Sequence, residues 1–86
     1  MPEISRFFGI VVKMYYNDHQ PPHFHAEYGE HVAEISLDSM EVIAGKLPLR
    51  ALGLTLEWAS VHRAELRDNW DLARAEQPLQ SIEPLS

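Results

Sequence analysis

Residues 21–37 read PPHFHAEYGEHVAEISL, and this stretch predicts the centre of the fold. Gly29-Glu30 separates two segments rich in strand-forming residues, so we expect a β-hairpin closed by a two-residue turn. The predicted cross-strand pairs are Tyr28 with His31, Glu27 with Val32, His25 with Glu34 and His23 with Ser36. Pro21-Pro22 restricts the backbone at the entry to the first strand, because each ring fixes φ and removes a donor.

The two faces of this hairpin differ sharply in polarity. Six side chains form an apolar face that we expect to be core: Phe24, Ala26, Tyr28, Ala33, Ile35 and Leu37. The opposite face is expected to stay exposed and, with the preceding strand, carries Lys13, Tyr15, His23, His25, Glu27, Glu34 and Ser36. A slip of one residue would exchange the faces, so the pattern favours this register.

The segments around the hairpin complete an antiparallel sheet. Ile4 to Phe8, Ile10 to Tyr16 and Met40 to Ala44 are predicted strands, and Asn17-Asp18 begins the turn between the second and third strands.

From Leu47 onwards the apolar period becomes helical. We predict a long helix from Pro48 to about Arg67 and a short one from Trp70 to about Glu76, with Asp68 or Asn69 as its cap. The expected fold is a single α+β domain over residues 1–86, with both C-terminal helices packed on one face of a small sheet.

Composition restricts the function. The chain has 86 residues and no cysteine, so thiolate ligands and cysteine nucleophiles are excluded. A net charge of −6 disfavours binding to nucleic acid through phosphate contacts. Residues 1–6 lack the pattern of a signal peptide, and no apolar run is long enough to span a membrane, so a cytoplasmic protein without membrane contact is expected.

The first site hypothesis is a metal centre. His23 and His25 leave the same face of one strand, a spacing that suits two imidazole ligands of one ion. Glu34 or His19 is the candidate third ligand, with Glu27 as a further choice, and zinc is the candidate ion. A bound ion with a water ligand would support hydrolysis. The alternative is that both imidazoles are solvated surface groups or form hydrogen bonds with the turn at Asn17-Asp18.

The second hypothesis uses the same face without a metal. Glu34 would raise the pKa of His25 and orient its ring for acid–base catalysis. Lys13, His23 and Tyr15 would then contact a phosphate of an RNA substrate, and Tyr15 could stack on a base. Cross-strand His–Glu pairs are also ordinary stabilising contacts of a sheet, so the pattern does not establish an enzyme. A lesser candidate base is the amine of Pro2 after removal of Met1.

The third hypothesis is a protein-binding module. The acidic charge and an exposed sheet suit a partner protein or a second copy of this chain, and a homo-oligomer is expected. Trp58 and Trp70 are candidate interface residues, although their spacing among leucines is also typical of a core.

Five segments carry a further signal: Ile4 to Ile10, Asn17 to His25 with its PPHFH signature, Glu27-Tyr28-Gly29, Leu56 to Ala59 and Asn69-Trp70. Together they resemble a small bacterial family, domain of unknown function 4160. The resemblance implies a cytosolic protein encoded beside another small protein, in a toxin–antitoxin-like pair, and it assigns no catalytic residue. The expected function is therefore partner binding within such a pair through the histidine-bearing face, and the alternative is a metal-assisted or acid–base hydrolase.

Overall fold

The computed structural model describes residues 3–16 and 18–86. Pro2, the candidate base, and Asn17 of the predicted turn lie outside the described residues.

One antiparallel sheet precedes two helices. Its strands are β1 (Glu3–Phe7), β2 (Ile10–Lys13), β3 (His23–Tyr28), β4 (His31–Ser36) and β5 (Val42–Gly45), each paired with its neighbours in sequence. The helices are α1 (Leu49–Val61) and α2 (Arg63–Arg74). The predicted α+β class, with helices following the strands, is confirmed.

The central hairpin has the predicted register. Every predicted pair is present, including His25 with Glu34 and His23 with Ser36. Gly29 has a φ of 60°, a left-handed conformation that glycine adopts without a steric penalty. The two-residue turn and the alternation of apolar and polar side chains therefore favour the same register.

The second strand is shorter than predicted. It ends at Lys13 rather than Tyr16, so residues 14–22 form a long connection between β2 and β3. This connection returns to the beginning of β3, where the two histidines lie.

The predicted helix boundaries are wrong. Two helices of 13 and 12 residues replace the expected long and short pair, and the break falls at His62 instead of Asp68 or Asn69. The N–H of His62 still bonds the carbonyls of Trp58 and Ala59, while its own carbonyl accepts from Leu66 in the next helix. No glycine or proline marks this break, which explains why the sequence pattern did not locate it.

Asn69 has a different role from the predicted cap. Its buried side chain donates to the carbonyl of Gln80 and accepts from the N–H of the same residue. These two bonds attach the C-terminal segment to α2. The segment also reaches β1, where the N–H of Ile82 donates to the carbonyl of Ile4.

The apolar face of the sheet is the core, as predicted, apart from Tyr28, which is exposed because it lies beside the hairpin turn. Trp58 and Trp70, the candidate interface residues, are buried with the core of the chain, as their spacing among leucines also predicted. Indole rings supply a large apolar area, and both rings are used inside the chain. In the described part of the chain, neither helix has the length and apolar character needed to cross a membrane.

Candidate metal centre

His23 and His25 lie on one face of β3, but only part of that face is exposed. His23 is 1% exposed, and its ring packs 5.4 Å from the ring of Trp70, measured between centroids. Ser36 is also buried, and its hydroxyl accepts the N–H groups of Asp38 and Ser39. The prediction of a wholly exposed polar face is therefore wrong at these two positions, because α2 and the β4–β5 turn cover them.

A carboxylate from the β2–β3 connection reaches both imidazoles. Oδ2 of Asp18 lies 3.0 Å from Nε2 of His23 and 3.0 Å from Nε2 of His25. The ligand atoms of these three residues all lie within 4.8 Å of one another. We call Asp18, His23 and His25 the His–His–Asp cluster.

The protonation of His23 is fixed at one ring nitrogen. Nδ1 lies 2.7 Å from the carbonyl oxygen of Pro21, and a carbonyl can only accept, so Nδ1 carries the proton. In the neutral ring Nε2 is then an acceptor. That atom is buried and has no hydrogen-bond partner among the described residues, yet it faces the carboxylate of Asp18.

Two acceptors in a buried contact require a positive charge between them or on one of them. An unsatisfied buried polar atom costs about 1–3 kcal/mol, which favours recruitment of a cation or a second proton on His23. A hydrogen bond from Nε2 of His25 satisfies one lone pair of Asp18 but leaves Nε2 of His23 unpaired.

The electrostatics of Asp18 agree with an ionised ligand. Burial alone would raise the pKa of Asp18. The hydrogen bond from His25, the bond from the backbone N–H of His19 and the charges of the His23 and His25 rings outweigh this effect, so the pKa lies below its usual value. The carboxylate is therefore charged at neutral pH and is ready to bind a cation.

Glu34 contacts the cluster from β4. Its Cα is paired with that of His25, as predicted, but its carboxylate contacts His23, with Oε1 lying 3.4 Å from Nε2. The predicted acid–base pair of His25 with Glu34 is therefore replaced by contacts of His25 with Asp18 and of Glu34 with His23.

The remaining predicted residues surround the cluster without joining it. His19 is 82% exposed, and its backbone N–H and Nδ1 both contact the outer oxygen of Asp18. Lys13 forms an ion pair with Glu27 at 3.0 Å, so each already has a partner. The ring of Tyr15 packs edge-on against that of His25, with centroids 4.6 Å apart.

Asp18 is the site residue that the sequence analysis did not propose as a ligand. The available signal was its position in a polar connection that leads directly back to the two histidines. Its carboxylate approaches them only because the connection folds across the start of β3.

The fold and the cluster define a class: small α+β proteins with a partly buried set of two histidines on a strand and a carboxylate from the connection before it. A sequence model of the family described as Domain of unknown function (DUF4160) matches residues 9–71, so the chain belongs to that family. The match includes the whole His–His–Asp cluster and Glu34, and it confirms the resemblance found in the sequence. No curated protein and no solved structure matches the chain.

Proposed function

We propose that this protein binds one divalent transition-metal ion through Asp18, His23 and His25. The observation that carries the proposal is the buried Nε2 of His23, which lacks a hydrogen-bond partner in the described chain and lies 3.0 Å from a carboxylate oxygen. A metal ion would satisfy this nitrogen and the facing carboxylate together.

The chemistry of the donors favours zinc or a similar ion. Imidazole nitrogens with a carboxylate suit Zn²⁺, whereas Ca²⁺ and Mg²⁺ prefer oxygen ligands alone. Metal–ligand bonds of about 2.0–2.1 Å in a tetrahedron place the ligand atoms roughly 3.3–3.4 Å apart. Both separations from Oδ2 of Asp18 to the imidazole nitrogens are 3.0 Å, close to this value, and all three ligand atoms lie within 4.8 Å of one another.

The contacts behind the ligands also support a metal. The Nδ1–H of His23 donates to the carbonyl of Pro21, which fixes the ring with Nε2 directed at the cluster. Ligating histidines usually make such a second bond, because it sets the tautomer and orients the ring.

The test is elemental analysis and zinc titration by calorimetry on purified, tag-free protein. We expect one equivalent of zinc in the wild type and loss of high-affinity binding in Asp18→Asn and His25→Ala. His31→Ala removes an exposed histidine outside the cluster and is the matched control, expected to bind as the wild type does. A folded wild type that takes up no zinc, cobalt or nickel would overturn the proposal.

A second candidate function is partner binding within a two-protein pair. The observation that favours it is the outer strand β5, along which every residue is exposed, including Val42 and the 44%-exposed Ile43. Val32 adds an exposed apolar side chain on the adjacent strand. An open strand edge with apolar side chains suits pairing with another chain, so this edge replaces the partly buried histidine face as the proposed surface.

Copurification tests this second function. The protein would be expressed together with the small neighbouring protein that the family resemblance implies, and recovery of a complex from wild type and from Ile43→Lys would be compared. We expect the complex with the wild type and its loss with Ile43→Lys. Equal recovery from both would remove β5 from the interface.

A further inference from the structure

We infer that Glu34 is the fourth protein ligand of the proposed ion, which makes the centre a closed, structural zinc site. This inference rests on the proposed metal binding by Asp18, His23 and His25. Closed four-ligand zinc sites hold parts of a fold together, whereas catalytic sites keep one position for water.

The distance from Glu34 to His23, one ligand of the cluster, is that of a ligand pair. Its Oε1 lies 3.4 Å from Nε2 of His23, which equals the separation of about 3.3–3.4 Å between neighbouring ligands of a tetrahedral zinc ion. Its Cα is paired directly with that of His25, so the backbone already places Glu34 opposite a second ligand. Its carboxylate contacts the ring of His23, so ligation by Glu34 would require this carboxylate to move toward Asp18 and His25 when the ion binds.

Burial favours a closed site over an open one. The side chains of Asp18 and His25 are 14% and 15% exposed, and that of His23 is almost inaccessible. Glu34 contacts the buried ring of His23, and its own side chain is 30% exposed. With its carboxylate on the ion, the coordination shell would be completed by protein.

The position of the four residues indicates what the ion does. Asp18 belongs to the β2–β3 connection, His23 and His25 to β3, and Glu34 to β4, so one ion would join three segments of the chain. The ring of His23 also packs on Trp70 of α2. The ion would therefore fix residues 14–22 against the sheet and hold the ring on which α2 packs.

A general base would require a different arrangement. In a hydrolase, Glu34 would bond a metal-bound water and take its proton while the water oxygen attacks the substrate. Removing such a base lowers the rate but leaves the metal affinity nearly unchanged, whereas removing a ligand weakens metal binding. The two roles are thus separable by a binding measurement.

The experiment compares Glu34→Gln and Glu34→Asp with Glu27→Gln. Glu27 is a matched control, because it lies on the same face of the sheet as Glu34 and its side chain is also 30% exposed. It forms an ion pair with Lys13 instead of contacting the cluster. We expect zinc affinity, measured by competition with a chelator, to fall at least about tenfold in both Glu34 variants and to stay unchanged in Glu27→Gln. Glu34→Asp keeps the charge but shortens the reach, so it separates ligation from a general charge effect.

Cobalt substitution gives a second readout. We expect the visible spectrum of Co²⁺-loaded wild type to be unaffected by azide, because no position is open. In Glu34→Gln a water molecule takes the vacated position, and azide should then change the spectrum.

The outcomes separate the two proposals. Wild type that binds zinc, with unchanged affinity in both Glu34 variants and a spectral response to azide, would overturn the closed site and leave the metal proposal standing. A wild type that binds no metal would overturn the proposed function itself. Circular dichroism of each variant verifies that a lost affinity does not reflect unfolding.

Discussion

Nε2 of His23 lies 3.0 Å from Oδ2 of Asp18 in a place from which water is almost wholly excluded. Neither atom can donate a proton to the other while the ring is neutral, because Nδ1 carries the hydrogen. The contact is therefore favourable only with a cation. Either an ion is bound between the two atoms or His23 is protonated at both nitrogens, and the two states differ in their response to added metal.

Zinc should raise the thermal stability of the protein. An ion that binds only the folded state at a hundred times its Kd adds about 2.7 kcal/mol. For a domain of this size, that gain corresponds to a rise in Tm of roughly 10–20 °C. Scanning calorimetry with zinc and with a chelator measures the effect. Asp18→Asn should show no zinc-dependent rise, and an equal rise in this variant would indicate a different binding site.

Metal binding should change the fluorescence of one tryptophan. The ring of His23 packs on that of Trp70, so a charge on the imidazole alters the surroundings of this indole. We expect zinc to change the emission of wild type and of Trp58→Phe, but not that of Trp70→Phe. A response that is lost instead in Trp58→Phe would contradict the contact of the cluster with α2.

Two glycine substitutions should differ in cost. Gly45 has a φ of 76°, and an added Cβ would collide with the carbonyl oxygen of Val32 on the neighbouring strand. Gly29 has a similar φ of 60°, but its Cβ would meet nothing within 4 Å. Gly29→Ala should therefore lose only the conformational term of about 1–2 kcal/mol.

Gly45→Ala should lower the free energy of unfolding by the same conformational term and, in addition, by the cost of displacing β5. Urea unfolding of the two variants, compared at equal slopes, gives the difference in the free energy of unfolding. Equal losses would show that β5 moves away from Val32 without cost.

The outer strand should control association without contributing to stability. Glu34 pairs with Ala44 and Ile35 with Val42, so in the described sheet Ile43 of β5 has no partner residue on β4. Its side chain is also exposed, and Ile43→Lys therefore removes little internal packing. We expect its free energy of unfolding to stay within about 0.5 kcal/mol of the wild-type value. If copies of this chain associate through β5, light scattering should show a larger mass for the wild type at high concentration and a monomer for Ile43→Lys. The same mass in both would exclude β5 as the contact between copies.

The sequence by itself determined the central hairpin. The pairing of His25 with Glu34 follows from a two-residue turn at Gly29-Glu30 and from alternation with a period of two, and both are local properties. The order of strands before helices was predictable for the same reason, because the apolar period changes from two to about 3.6 residues near Leu47.

Only the tertiary structure decided how the site is completed. Asp18 reaches the two histidines because the described part of the β2–β3 connection, residues 14–16 and 18–22, returns to the start of β3, a path that no local pattern specifies. His23 is buried because Trp70 of α2 packs on its ring, and this depends on the helix break at His62, which the sequence does not mark. Side-chain alternation determines which residues share a face of a sheet. What covers that face depends on contacts between segments far apart in the chain, and those contacts form only in the folded protein.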